Sequence, residues 1–343
     1  MMSKHVPSPA ATVRFSAVAA EQPRPLRVGR RGFLLAGLAT AGALGLNACS
    51  TDGGSLTEVF AAAPQPDEQL VDFYWALKDA AEAASKNKNS EFTAPAKAYE
   101  EQAAVLAKEI SRQCGHDDEG NAPEKCTATT TEPPRPAAEP LNSDSELRDK
   151  ALGVISSVAD ETVAGLVTGM YAALAVAANA AELDKAQRLD EKAVAAGFGG
   201  ADSEGLKGLV SAVDMAYGAI YVSGLALAAD GGPNRETLRA VADRLRDFRE
   251  ATRGVIEESG ATMPVPQASY TSPSGAPKNS SSALSTQLEV TQPITKQLRF
   301  VVTKTAQPEA REFAARWCGL VARLEAAIER AQGEDPLTRA TRG

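Results

Sequence analysis

The sequence predicts an all-α fold, most of it a helical bundle, and three observations carry that expectation. Apolar residues recur at three- and four-residue steps in one segment after another. No run shows the sustained two-residue alternation that a half-buried strand requires. The composition, 43% hydrophobic and 23% charged with 5% aromatic, is that of a soluble globular chain, which excludes collagen-like, wholly disordered and disulfide-dense scaffolds. At 343 residues the chain can build one large or two modest domains, either with a core of its own.

Residues 1–48 read as a leader. Arg30-Arg31-Gly32-Phe33-Leu34 precedes an uncharged stretch from Phe33 to Leu46 that ends in Leu46-Asn47-Ala48-Cys49. This resembles a twin-arginine export signal, carried by Arg30, Arg31, Phe33 and Leu34, joined to a lipoprotein cleavage box. A basic stretch stays on the cytoplasmic side, the apolar run is too short to span a bilayer as a permanent helix, and small Ala48 suits a peptidase. The resemblance implies a mature chain that starts at Cys49, bears lipid there, and sits on the outer face of the cytoplasmic membrane. Residues 49–66, with Ser50 to Ser55 rich in Gly and Ser, are then a tether.

Residues 67–126 read as a helical pair closed by a disulfide loop. Leu70, Phe73, Tyr74, Leu77, Ala80, Ala81 and Ala84 mark the first helix, and Ala98, Tyr99, Ala103, Leu106 and Ile110 the second. Cys114 and Cys126 flank a polar segment containing His116, Asp117 and Asp118. Export makes a Cys114–Cys126 disulfide the natural reading. Metal is the alternative, since these side chains have ligand chemistry, but no second Cys or His follows at zinc-site spacing. Cys318 reads as a small buried hydrophobe on a helix. Residues 127–143, rich in Thr and Pro, form a linker.

Residues 144–202 read as one long helix and a connection, with Leu147, Ala151, Val154, Ile155, Val158, Thr162, Leu166, Met170, Leu174 and Ala177 as its stripe. Such a helix would reach about 50 Å. Its uncharged part, Thr162 to Ala181, invites comparison with a membrane span through Gly165 and Gly169. Two Thr, Asn179 and an Ala-rich composition favour a central bundle helix instead.

Residues 203–332 hold four further helices, and 333–343 a tail. Glu204 to Ala229 is apolar nearly all round. The next helix starts at Asn234, buries Leu238, Val241, Leu245, Phe248, Thr252 and Val255, and stops at Gly260. After a proline-bearing connection, Leu284, Leu288, Ile294, Leu298, Val301 and Val302 mark the third, with Pro293 as a kink. Phe313, Trp317, Leu320, Val321, Leu324 and Ile328 mark the fourth, from Pro308 to Gly333.

From about Ser203 to Arg330 the chain resembles the ferritin-like helical domain of unknown function found in bacterial exported lipoproteins. The features that carry this are Ala216-Tyr217-Gly218-Ala219-Ile220-Tyr221, the arginines 239, 244, 246 and 249, the loop with Pro264, Pro266 and Tyr270, then Leu288-Glu289, and Arg311 to Trp317. The resemblance implies an antiparallel ferritin-like four-helix bundle at the C-terminus with additional N-terminal helices. Asp214 and Met215 stand where that domain carries an acid followed by His.

Function is bounded more than it is named. The formal charge of −8, with six Lys/Arg against one Asp/Glu in residues 1–48, leaves the rest more acidic still and argues against nucleic acid as a partner. His5 and His116 are the only histidines, and no Glu-x-x-His occurs, so the ligand set of a di-iron ferritin site is missing. An all-carboxylate site would have to draw on Asp160, Glu161, Asp214 and Glu289. No nucleophile elbow or phosphate-cradling glycine loop is present. The expectation is a non-catalytic, lipid-anchored envelope protein without a cofactor, acting as an interaction or binding module whose partners are the membrane, through Cys49, and an envelope protein. The alternatives are a carboxylate-based metal-handling or redox bundle and a ligand-binding lipoprotein of an importer.

Overall fold

The computed structural model describes residues 66–86, 94–115, 126, 143–177 and 189–343. The expected leader with Arg30, Arg31, Phe33, Leu34 and Cys49, nearly all of the expected tether, His116 with the acidic residues after it, and the expected linker except Ser143 lie outside the described residues. Among those described, the chain is helical in nine α-helices: α1 (Glu68–Lys86), α2 (Ala96–Gln113), α3 (Asp144–Ser157), α4 (Glu161–Ala175), α5 (Glu191–Gly197), α6 (Glu204–Ala229), α7 (Arg235–Glu258), α8 (Ser280–Thr303) and α9 (Pro308–Ala331). The fold is an all-α helical bundle.

The expected long helix over 144–177 is two helices. At Val158 the backbone turns extended (φ −64°, ψ 133°), and Asp160 then starts α4 by accepting hydrogen bonds from the N–H groups of Thr162 and Val163. A carboxylate that can satisfy two otherwise unpaired N–H groups offers the chain a new N-terminus in mid-pattern. The break resets the phase of the stripe. Thr162 is exposed and Leu166 half-buried, while Val163, Val167, Met170 and Leu174 point into the core. The end of α3 is closed from elsewhere: the buried guanidinium of Arg311 on α9 donates to the carbonyls of Ile155 and Val158, and to that of Thr305. The carbonyls of Ile155 and Val158 lie at the end of α3, where intrahelical donors run out.

Helices α6 to α9 form the C-terminal bundle. A short turn joins α6 to α7, in which Asp230 accepts from the N–H groups of Gly232 and Asn234; Asn234 stands at the N-cap position without a side-chain capping bond, its amide donating to Asp230 instead. Residues 259–279 cross over to α8, whose start is fixed by a capping box between Asn279 and Ser282. Pro293 is accommodated inside α8. The α8 helix runs antiparallel to α6, with Gln287 donating to the carbonyl of Ala219 and Gln297 to that of Gly208. It also runs antiparallel to α9, where Thr295 meets Glu325 and Ser285 meets Gln332. The direction sequence is thus up, down, down, up.

The helices before this bundle pack onto it: α1 lies against α2 and α3, α4 against α8 and α9, and α5 bridges α7 and α9. The described residues belong to one compact unit. Close approach of α4 to α9 depends on Gly319, where a Cβ would come within 2.8 Å of Tyr171 and 2.9 Å of Ala175. By length and composition α6 could cross a membrane, yet Leu206, Leu209, Ala212, Val213, Ala216, Ala219 and Val222 on it are buried among the helices of the bundle.

Candidate functional site

The residues at 333–343, expected to be a tail, return into the molecule. After α9 ends at Gly333 (φ +84°), a short 3-10 turn (Pro336–Thr338) redirects the chain so that Ala340 to Gly343 run between α2, α4, α8 and α9. Three backbone bonds hold this strap: Arg342 N–H donates to the carbonyl of Gly169 on α4 at 2.9 Å, Gln102 Nε2 on α2 to that of Ala340 at 2.7 Å, and Arg299 Nη1 on α8 to that of Gly343 at 2.8 Å. Gly169 eases this approach, since a Cβ there would stand 3.1 Å from the carbonyl oxygen of Arg342 and from Arg299 Nη1, tighter than ordinary contact.

Beneath the strap lies a charged cluster with almost no access to water. The Arg342 side chain has 0% exposure, Glu329 0% and Glu325 3%. Arg342 Nη2 donates to Glu329 Oε2 at 2.7 Å and to the Pro336 carbonyl at 2.8 Å, while Nη1 lies 3.3 Å from Glu329 and 3.5 Å from Glu325. Arg339, more exposed, reaches Glu329 from the rim at 2.8 Å. Thr295 donates its hydroxyl to Glu325. Burial pushes the Glu325 carboxyl up to about 7, against the opposing pull of the Thr295 hydroxyl and Arg342. The arrangement is therefore a carboxylate pocket shaped for a planar guanidinium, which two-pronged hydrogen bonding recognises more selectively than a point charge. Cys318 lies alongside, its thiol donating to the Thr295 carbonyl, and burial pushes it well above the usual thiol range, which makes it an inert packing residue.

The residues singled out in the sequence are distributed otherwise. Cys114 and Cys126 are joined in a disulfide, with Cα atoms 6.4 Å apart. Asp160 caps α4 and pairs with Arg112 on α2; burial works to raise its carboxyl, but the bonds from Arg112 and the α4 N–H groups outweigh this and hold it below its ordinary value. Glu161 faces Lys304 at 3.9 Å. Glu289 accepts from Ser272, from the Ser274 hydroxyl and from the Ser274 N–H, tying the crossover to α8. Asp214 is half-buried on α6, and burial raises its carboxyl. Among the described residues no three His, Cys, Asp or Glu side chains gather where they could hold a metal ion, so these four acids do not assemble into the carboxylate site considered for them.

Glu325, Glu329 and Arg342 went unrecognised in the sequence, although a signal for the acids exists. Continuing the stripe of α9 by steps of four from Phe313 gives Trp317, Val321, Glu325 and Glu329, so the two glutamates stand in line with core residues. A buried acid pair in such a stripe needs a cation or must hold protons, and nothing nearby in the sequence points to residue 342 as its partner.

Residues 208–335 match the model of a family described as a domain of unknown function (DUF4439). That segment contains α7, α8 and α9 and nearly all of α6, and it ends at Asp335, where the strap begins. No curated protein and no solved structure matches the chain.

Proposed function

We propose that this chain is a lipid-anchored cell-envelope protein, exported through its twin-arginine leader and held by Cys49 to the outer face of the cytoplasmic membrane, whose helical bundle is a non-catalytic binding module. The observation that carries the reading is the Cys114–Cys126 disulfide, which ties the end of α2 to Cys126. Such bonds persist in exported proteins and are scarce in the reducing cytosol. It agrees with Leu46-Asn47-Ala48-Cys49 behind Arg30-Arg31. Two antiparallel hairpins joined by one long crossover, residues 259–279, support a ferritin-like classification of the C-terminal helices. A binding role rests on the strap cluster, because a groove between four helices that holds one segment by a buried, charged anchor and by bonds to its main chain is built like a peptide-recognition site.

Labelled palmitate fed to producing cells tests the anchor. It should enter the wild-type protein and vanish in Cys49→Ser, which should then leave the membrane fraction. Equal labelling of both proteins would refute the reading. In-cell crosslinking of the anchored protein should recover a defined envelope neighbour if the bundle is a binding module.

A further inference from the structure

We propose that the cleft beneath residues 335–343 is a binding site for an extended peptide segment bearing arginine followed by glycine, and that this chain's own strap closes it in cis. The inference deepens the binding-module reading and rests on it, by naming the class of ligand the module takes.

The strap sits in the cleft as a bound peptide sits in a receptor. One side chain, Arg342, is wholly buried between Glu325 and Glu329, and Pro336 is buried beside it. The remainder lies at the rim, with Asp335, Thr338, Arg339 and Thr341 exposed. A central desolvated anchor ringed by exposed residues is how binding energy is distributed at protein interfaces. Recognition of the rest runs through main chain: the N–H of Arg342 and the carbonyls of Ala340 and Gly343 are all bonded, to Gly169, Gln102 and Arg299. Such bonds read an extended backbone whatever its side chains. The position after the arginine is selective for another reason. At Gly343, with φ +88°, a Cβ would stand 3.1 Å from the Thr295 carbonyl. The cleft therefore reads Arg by charge and shape and Gly by exclusion.

The walls do not depend on the strap for their own local structure. The residues that make them come from α2, α4, α8 and α9, and α9 finishes its capping before residue 335, with the N–H groups of Gln332, Gly333 and Glu334 bonded to carbonyls of its last turn. Glu334 and Asp335 are exposed, so the join between receptor and ligand is open to cutting.

The test places a specific protease site between Glu334 and Asp335 of the full chain and cuts it after folding. The cut protein should keep its helical circular dichroism and exchange its fragment for a fluorescent synthetic peptide of residues 335–343, at one peptide per chain. Peptides carrying Arg342→Ala should bind weaker by about 30-fold or more, as loss of one member of a buried charge pair requires. Arg342→Lys, which keeps the charge but loses the fork, should fall between the two, and Gly343→Val should bind poorly. Unfolding of the cut protein, absence of peptide exchange, or equal binding of the wild-type and Arg342→Ala peptides would overturn the proposal. As a second measurement, uncut Arg342→Ala should stay helical while an endoprotease cuts within residues 335–343 much faster than in wild type; equal cutting would overturn the releasable strap. Neither measurement depends on the lipid at Cys49, so failure here is distinguishable from failure of the envelope reading.

Discussion

Replacing Arg342 with Leu perturbs the molecule at the buried charged anchor of its strap, and the structure bounds the effect. Leu supplies apolar bulk but no donors. Glu329, with 0% exposure, loses two bonds from the guanidinium, and Glu325 loses its facing cation. Removing one member of a buried ion pair generally costs about 3–5 kcal/mol because the other charge stays behind uncompensated. Two features place this case at the lower end. Arg339 remains 2.8 Å from Glu329, and the burial that pushes Glu325 up to about 7 lets it stay neutral at modest cost. A loss of about 3 kcal/mol corresponds to a fall in Tm of roughly 6–12 °C for a domain of this order of size. Thermal unfolding followed by circular dichroism at constant pH reads it directly. The double variant Arg342→Leu with Glu329→Leu should recover most of the loss, since an apolar pair of similar volume needs no compensation. A single variant within a degree of wild type, or a double variant no better than the single, would refute the reasoning.

Three other outcomes are expected. The Glu325 carboxyl lies at about 7 when folded against an ordinary value of 4.5, so its contribution is fully present below pH 4.5 and is lost as pH rises toward 7. At 1.36 kcal/mol per unit this is on the order of 3 kcal/mol, and Glu325→Gln should remove that part of the stability–pH curve in denaturant titrations from pH 4.5 to 8. Reducing the Cys114–Cys126 bond, or Cys114→Ser with Cys126→Ser, should cost about 3 kcal/mol in the chain-entropy description, seen as a lower urea midpoint. Gly319→Ala should cost about 1–3 kcal/mol through collision with Tyr171 and Ala175, whereas Gly224→Ala, which meets open space on α6, should be neutral or stabilising by up to about 1 kcal/mol.

The helices were legible where a single stripe faced a single core. Leu238, Val241, Leu245, Phe248, Thr252 and Val255 on α7, and Phe313, Trp317, Leu320, Val321, Leu324 and Ile328 on α9, are all buried as their spacing implies. Gly260 and Gly333, with φ +76° and +84°, stop their helices where a residue without Cβ is favoured. The break between α3 and α4 was hidden, because apolar periodicity continues across it while the cause is a cap at Asp160 and a buried guanidinium supplied by Arg311, over 150 positions away. The strap was hidden for the same physical reason. Its residues are polar, so local pattern assigns them to solvent, and their burial depends on charges carried by other helices. Sequence periodicity reports what each helix buries, Glu325 and Glu329 included, but it does not report which distant residue pairs with them.

Intact mass of the protein extracted from cells that export it tests the central claim most directly. The envelope reading predicts a membrane-fraction chain that begins at Cys49, carries the added mass of acyl chains, and gains two hydrogens on reduction as the Cys114–Cys126 bond opens, with Cys318 already a thiol. A soluble chain that retains residues 1–48, with no acyl mass and no change on reduction, would contradict it.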